Sequence, residues 1–283
     1  MSELRVTRPG PLTTVQDLGR PGYAHLGVPA SGALDPGALR LANRLVGNDD
    51  GAAGLELTFG GLALTVSAPC WVALAGAPAP LTVDGLPAPL YAPVAVHERL
   101  AVDRPSDGVR SYLAVAGGIA VDPVLGSRAT DLLAGLGPAP LSAGDRLPVG
   151  RPAGPPSTVD SAPGWTGAVR PLRLYPGPRA DWFADDALRL LATQPYTVSS
   201  ASNRIGVRLA GPALSRRTDR ELPSEGVVTG AVQVPSDGQP VLFLADHPTT
   251  GGYPVIGVVD PRDLAAAAQA RPGARLRFQV VMN

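Results

Sequence analysis

Two stretches of the sequence set small polar side chains beside glycines. One runs Thr13-Thr14-Val15-Gln16-Asp17-Leu18-Gly19-Arg20-Pro21-Gly22-Tyr23 and resumes at Gly27-Val28-Pro29-Ala30-Ser31-Gly32. The other runs from Ser224-Glu225-Gly226 through Gln233-Val234-Pro235 to Asp246-His247-Pro248-Thr249-Thr250-Gly251-Gly252-Tyr253-Pro254. Adjacent glycines let a backbone turn sharply and approach a ligand closely. Thr249 and Thr250 add hydroxyls, and Gly251 and Gly252 offer N–H donors that no Cβ screens. Such a set can cradle an anionic or carbonyl oxygen; the same residues also make an ordinary tight β-turn. A third stretch, Ser202-Asn203-Arg204-Ile205-Gly206, enters an apolar run from a polar turn. Arg204 there can grip a carboxylate or phosphate with two parallel bonds, or sit solvated at a strand edge.

Other chemistries find no residues to carry them. The sequence has no Walker A loop, no G-x-G-x-x-G, no G-x-S-x-G and no H-E-x-x-H, so any phosphate would be held by backbone N–H groups and arginines. All 24 basic residues are arginine, which removes Schiff-base and P-loop lysines. The net charge is +0 with no basic stripe, so neither nucleic acid nor membrane is an expected partner. Cys70, His25, His97 and His247 are too scattered for a zinc site. His247 has the right side chain for a general base, yet the adjacent Pro248 equally suits a structural residue. The first residues, Met1 to Arg5, have no apolar core of a signal peptide, and Pro69, Pro78 and Pro80 break the long uncharged stretch from Leu57 to Val83. A cytoplasmic location is expected.

The elements that must position these groups are short. Glycine and proline number 34 and 32, and only 17% of residues are charged against about 25% in an average chain. With 45% hydrophobic residues there is apolar surface enough for a core. Many short strands joined by tight turns fit; a helical bundle does not. Three segments read as helices: one capped by Asp35 with Pro36 at its first position, one after Pro178 carrying Trp182 and Phe183, and one capped by Asp260 before Pro261. Strands are expected at Leu62–Val66, Trp71–Leu74, Val94–Val102, Tyr112–Val115, Leu172–Tyr175, Gly206–Leu209, Val241–Ala245, Val255–Val259 and Arg275–Val281. The Pro/Gly-rich run near Pro148–Pro171 divides the chain, predicting a first domain over 1–150, a linker over 151–171 and a second domain over 172–283.

Seven blocks, in order, resemble one family: T-T-V-Q-D-L-G-R-P-G-Y at Thr13–Tyr23, G-V-P-x-S-G-A-x-D at Gly27–Asp35, A-N-x-L-V-G-N at Ala42–Asn48, S-N-R-x-G-x-R-L at Ser202–Leu209, S-E-G at Ser224–Gly226, Q-V-P at Gln233–Pro235 and T-T-G-G-Y-P at Thr249–Pro254. The family is that of allophanate hydrolase subunit 2, also called the C subunit of 5-oxoprolinase, similar to the carboxyltransferase domain of urea carboxylase. The resemblance covers essentially the whole chain. It implies a mainly β protein of two tandem cyclophilin-like β-barrel domains with a few short helices. It also implies a subunit-1/subunit-B (KipI-like) partner that shares the active cleft, and a third component, the A subunit, of the LamB/YcsF type.

The activity implied first is the ATP-dependent opening of the 5-oxoproline lactam to L-glutamate by a complex of these subunits. That reaction uses ATP and Mg²⁺, bound by or shared with the partners; no biotin would be attached to this chain. Its needs are positioning and charge neutralisation. The resemblance picks the positions, and the needs of the reaction suggest the roles: Asp17, Glu225 or Asp246 as metal-binding or base carboxylates. Arg20 or Arg204 would hold the substrate carboxylate, Tyr23 and Tyr253 would wall the pocket, and the Thr249 to Gly252 turn would donate hydrogen bonds to phosphate oxygens. Ser31, Asn203 and Gln233 fall in the same blocks as further binding candidates. The same resemblance admits a carboxyltransferase subunit of the allophanate or urea pathway, and a KipA-like regulatory protein that binds its KipI-like partner.

Overall fold

A computed structural model of the chain describes residues 2–158, 162–165, 167, 170–218, 220 and 222–282. The protein is mainly β, with three short α-helices among the described residues. It divides into two compact units. The first comprises the chain up to Arg20, Ser31–Asp131 and Gly135–Gly167; the second comprises Pro21–Ala30, Leu132–Ala134 and the chain beyond Gly167. The Pro/Gly-rich run expected to act as a linker from 151 onward thus groups with the first unit as far as Gly167. Its backbone groups find partners there: Ser157 N–H donates to the Leu45 carbonyl and Ala162 N–H to the Tyr91 carbonyl, both at 2.8 Å.

The first unit holds two antiparallel sheets. One has the strand order Arg146–Pro148, Glu3–Pro9, Leu62–Val66, Arg99–Val102, Leu81–Val83, Leu86–Ala88; the other runs Leu12–Gln16, Gly54–Thr58, Arg110–Val115, Cys70–Gly76, Val94–Val96. Leu4, Leu62, Leu64 and Val102 of the first meet Leu55, Leu57, Leu74 and Leu113 of the second in one core. Helix Pro36–Leu45 covers the other face of the five-stranded sheet, where Ala42 and Leu45 pack on Ala73, Ala75 and Ala114. Strand Arg110–Val115 is therefore buried at every position. Its side chains alternate between the leucine-rich core and the alanine face that lets the helix come close. The helix starts where the sequence predicts: Asp35 Oδ1 accepts from Ala38 N–H at 3.0 Å, with Pro36 in the first turn.

The expected strand Val94–Val102 is two strands, Val94–Val96 and Arg99–Val102, and they lie in different sheets. In a continuing strand successive N–H groups point to opposite edges. Here the N–H groups of His97, Glu98 and Arg99 all converge on the Asp84 carboxylate, each at 2.9 Å, and the chain turns.

The second unit is built on an eight-stranded sheet in the order Arg275–Leu276, Tyr196–Val198, Gly206–Ala210, Val241–Phe243, Ala231–Gln233, Val255–Val259, Leu172–Pro176, Phe278–Val280. Only Arg277 separates the two end strands in sequence, so the sheet nearly closes into a barrel. The expected single strand Arg275–Val281 is thus two: one part pairs with Tyr196–Val198, the other with Leu172–Pro176. Leu172, Leu174, Val207, Val232, Leu242 and Ile256 fill the interior, and Tyr196 meets Phe278 edge-on at 6.4 Å. The helix expected after Pro178 is divided. A 3-10 turn, Ala180–Trp182, ends at Phe183, which is extended and buried, and the helix proper is Ala187–Thr193. Asp260 caps as expected, accepting from Arg262 N–H at 2.9 Å, but the first turn Pro261–Asp263 is 3-10 before helix Leu264–Ala268. No helix among the described residues is long and apolar enough to cross a membrane.

Candidate functional site

A two-stranded ribbon, Glu225–Gly226 against Thr250–Gly251, belongs to the second unit but not to its barrel sheet. Glu225 lies opposite Gly251 and Gly226 opposite Thr250, and Val227 N–H continues the pairing to the Thr249 carbonyl at 2.9 Å. The Thr249–Gly252 stretch, which reads as a turn, is therefore partly a strand. Glycine at 251 has a steric reason. A Cβ there would stand 2.7 Å from Gln233 Nε2 and 3.3 Å from Val227 Cγ2. Gln233 cannot yield cheaply, because it is buried and its Nε2 donates to the Tyr253 carbonyl at 3.0 Å. Gln233 thus fixes the backbone that carries the Tyr253 ring. The Arg216 guanidinium lies 5.5 Å over that ring and donates to the Val234 carbonyl at 2.6 Å.

Beside the ribbon is a cavity of about 200 Å³, lined by Arg179, Glu225, Gly251 and Tyr253 and walled by valines that include Val227 and Val258. Arg179 was not marked by any sequence pattern, since its partner is 46 residues away. Its Nε donates to Glu225 Oε2 at 3.0 Å and its Nη2 donates to Oε1. The hydrogen-bonded guanidinium holds the Glu225 carboxyl below its ordinary range and raises Arg179 in turn. The Arg179 guanidinium also lies 5.8 Å from the Trp182 ring centre.

Arg204 and Asp246 do not line this cavity and form a dry pair of their own, while Asn203 is exposed. Arg204 Nε and Nη2 donate to the two oxygens of Asp246 at 2.8 and 2.9 Å, with side-chain exposures of 1% and 0%. Leu132 N–H, of the same unit, adds a bond to Asp246 Oδ2 at 3.2 Å. A pair so matched neutralises itself inside the protein. Asn203 Oδ1 accepts from Ile205 and Gly206 N–H groups at 2.9 and 3.3 Å, a turn-forming role. His247 is buried, with Nδ1 2.7 Å from the Pro248 carbonyl oxygen and its ring 6.0 Å from that of Phe243. Tyr23, half-buried, precedes the 3-10 turn Ala24–Leu26.

Asp17, Arg20 and Ser31 belong to the first unit. The Asp17 carboxylate accepts from Ser127 Oγ, Arg128 N–H and Gly19 N–H at 2.6, 2.6 and 2.8 Å, tying a loop down. Arg20 is buried, donates to the carbonyls of Val124 and Ala129, and has Nη1 3.9 Å from Asp131 Oδ2. Ser31 has φ 53° and donates from Oγ to the Thr130 carbonyl at 3.3 Å. A larger hollow of about 380 Å³ on the six-stranded sheet is lined by none of the candidate residues.

The structure therefore brings Glu225, Gly251 and Tyr253 together around one cavity, with Thr250 in the same ribbon and Gln233 behind it. It pairs Arg204 with Asp246 away from that lining. Among the described residues no group of three or more acidic, histidine or cysteine side chains is arranged to hold a metal ion. A small cavity with apolar walls and one guanidinium suits a compact ligand carrying one anionic group.

Residues 26–280 match the family model described as the carboxyltransferase domain, subdomain A and B. The protein of Escherichia coli named as the C subunit of 5-oxoprolinase is 43% identical over 97% of this chain and 90% of its own length. The urea amidolyase of Lachancea kluyveri is 33% identical over 96% of this chain, which spans 16% of that much longer protein. The crystal structure of the K. lactis urea amidolyase superposes with a TM-score of 0.92 at 29% identity, covering 99% of this chain and 19% of that one.

Proposed function

We propose, since this chain belongs to the carboxyltransferase domain family with subdomains A and B, that it serves as the C subunit of an ATP-dependent 5-oxoprolinase, a hydrolase complex that opens a cyclic amide to L-glutamate. The observation that carries this reading is the match to the C subunit of the bacterial 5-oxoprolinase, which extends over nearly all of both chains. A fold shared with urea amidolyases cannot choose a substrate on its own; the end-to-end match to a free-standing subunit favours the lactam.

The partners are a subunit-B protein of the KipI type and an A subunit of the LamB/YcsF type, and the protein works in the cytoplasm. ATP, with Mg²⁺, supplies the activation of an amide that resists water. The part assigned to this chain is to bind and orient, on the lining of the cavity beside the ribbon. The cavity beside the ribbon receives the ring. Tyr253, held by Gln233 through its backbone and by Arg216 over its face, forms one wall. Apolar Val227, Val255 and Val258 exclude water from the others. The Arg204–Asp246 pair keeps the Asp246–Gly252 segment in place rather than touching substrate.

The test is reconstitution of the chain with both partner subunits, followed by measurement of glutamate released from 5-oxoproline and ATP. Release that depends on all three subunits is expected. An intact complex that yields no glutamate overturns the reading. The urea amidolyase likeness supports a second one, transfer of a carboxyl group from a biotin carried on another protein; carboxylation of an amide acceptor by the same preparation would favour it.

A further inference from the structure

We propose that Arg179 anchors the carboxylate of the ligand in the second unit's cavity, and that Glu225 is a built-in substitute for that carboxylate, displaced as the ligand enters. Naming the ligand as a cyclic amide acid rests on the proposed function; the exchange itself rests on the geometry. Arg179 and Glu225 both line the cavity, and among the described residues no other carboxylate does. Two guanidinium nitrogens engage the two Glu225 oxygens, an arrangement that any carboxylate can copy.

The pair is placed to open. Arg179 and Glu225 are 35% and 36% exposed at their side chains, so each can part from the other into water. The Arg204–Asp246 pair cannot, because separating it would strand a buried charge. Only one of Arg179's neighbours has to leave. The Trp182 ring, 5.8 Å from the guanidinium, can keep the cation aimed when Glu225 swings away. Asp181 also acts on Arg179 but does not line the cavity. Glu225 has its backbone held in the ribbon opposite Gly251, so a side-chain rotation suffices. The volume, about 200 Å³, lies below the roughly 300–1,000 Å³ of drug-sized sites and suits a single small ring.

The exchange gives the two partners opposite signs in a binding experiment. The full-length chain is titrated with 5-oxoproline, with its uncharged amide, and with acetate, while the arginine side-chain NMR signals are followed. Arg179→Gln should weaken 5-oxoproline about tenfold or more, the loss of a charged hydrogen-bond pair. Glu225→Gln should tighten it by about 2- to 5-fold, because a partly exposed internal competitor has been removed. The uncharged amide should be indifferent to both changes. Circular dichroism and thermal melting establish that each variant is folded. If Glu225→Gln weakens binding as Arg179→Gln does, or if neither 5-oxoproline nor acetate moves an arginine signal, the exchange is wrong. A complex that makes no glutamate while acetate shows the opposite-sign pattern would reject the proposed substrate and leave the anchor standing. Glutamate production without that pattern would reject the anchor alone.

Discussion

Arg204 and Asp246 form a two-point ion pair in the second unit from which solvent is almost wholly excluded, the two side chains being 1% and 0% exposed. Removing one partner leaves the other charged and buried. Asp246→Ala should therefore lower the unfolding free energy by about 3–5 kcal/mol, measured by urea denaturation. The double variant Arg204→Met/Asp246→Leu should recover part of that loss, since both desolvation costs vanish together. A cost for Asp246→Ala under about 1 kcal/mol, the range of surface pairs, would show that water reaches the site.

The two glycines of the ribbon should behave differently. A Cβ at Gly226 meets nothing within 4 Å, whereas one at Gly251 meets Gln233 Nε2 at 2.7 Å. Gly226→Ala should change stability by no more than about 0.5 kcal/mol. Gly251→Ala should cost about 1 kcal/mol or more, because moving Gln233 breaks its bond to Tyr253. Thermal melts of the two variants decide the matter, and equal losses would contradict the steric account.

Asp84 predicts an acid sensitivity in the first unit. Backbone N–H groups, that of Arg99 foremost and then that of His97, hold its carboxyl at about 2 against an ordinary 3.8. A carboxyl depressed by folding adds stability above its unfolded value and loses it as pH falls through the folded one. The wild-type melting temperature should accordingly drop between pH 4 and about 2, and Asp84→Asn should flatten that part of the curve. Parallel pH profiles would rule out this carboxylate as a contributor.

Cys70 should be unreactive at neutral pH. Burial, with a smaller push from Asp84, raises its thiol to about 11, and the thiolate is the nucleophile. Iodoacetamide labelling of the native protein should be slow at pH 7 and quicken after unfolding. Rapid labelling of the folded chain would overturn this.

The separation between what was legible and what was not follows the range of the interactions. The start of helix Pro36–Leu45 was readable because its cap is one bond to a backbone three residues on, from Asp35 to Ala38. The β character was readable because glycine, proline and short apolar runs act locally. The break at His97 was not, because it depends on Asp84 reaching across from another hairpin. Nor was the division of Arg275–Val280, where one extended segment serves both ends of a nearly closed sheet.

The candidate site divides in the same way. Motif residues marked Glu225, Gly251 and Tyr253, and these line one cavity. They also marked Arg204 as a substrate-binding group and Asp246 as a metal-binding or base carboxylate, and folding turned those two into each other's partners across 42 residues. Arg179 carried no signal of its own, yet it lies against Glu225. Sequence alone determined the elements whose bonds close within a few residues, together with the family whose motifs they carry. Which charges neutralise one another and which remain at a cavity was decided only by tertiary structure, because that depends on which distant surfaces pack together and exclude water.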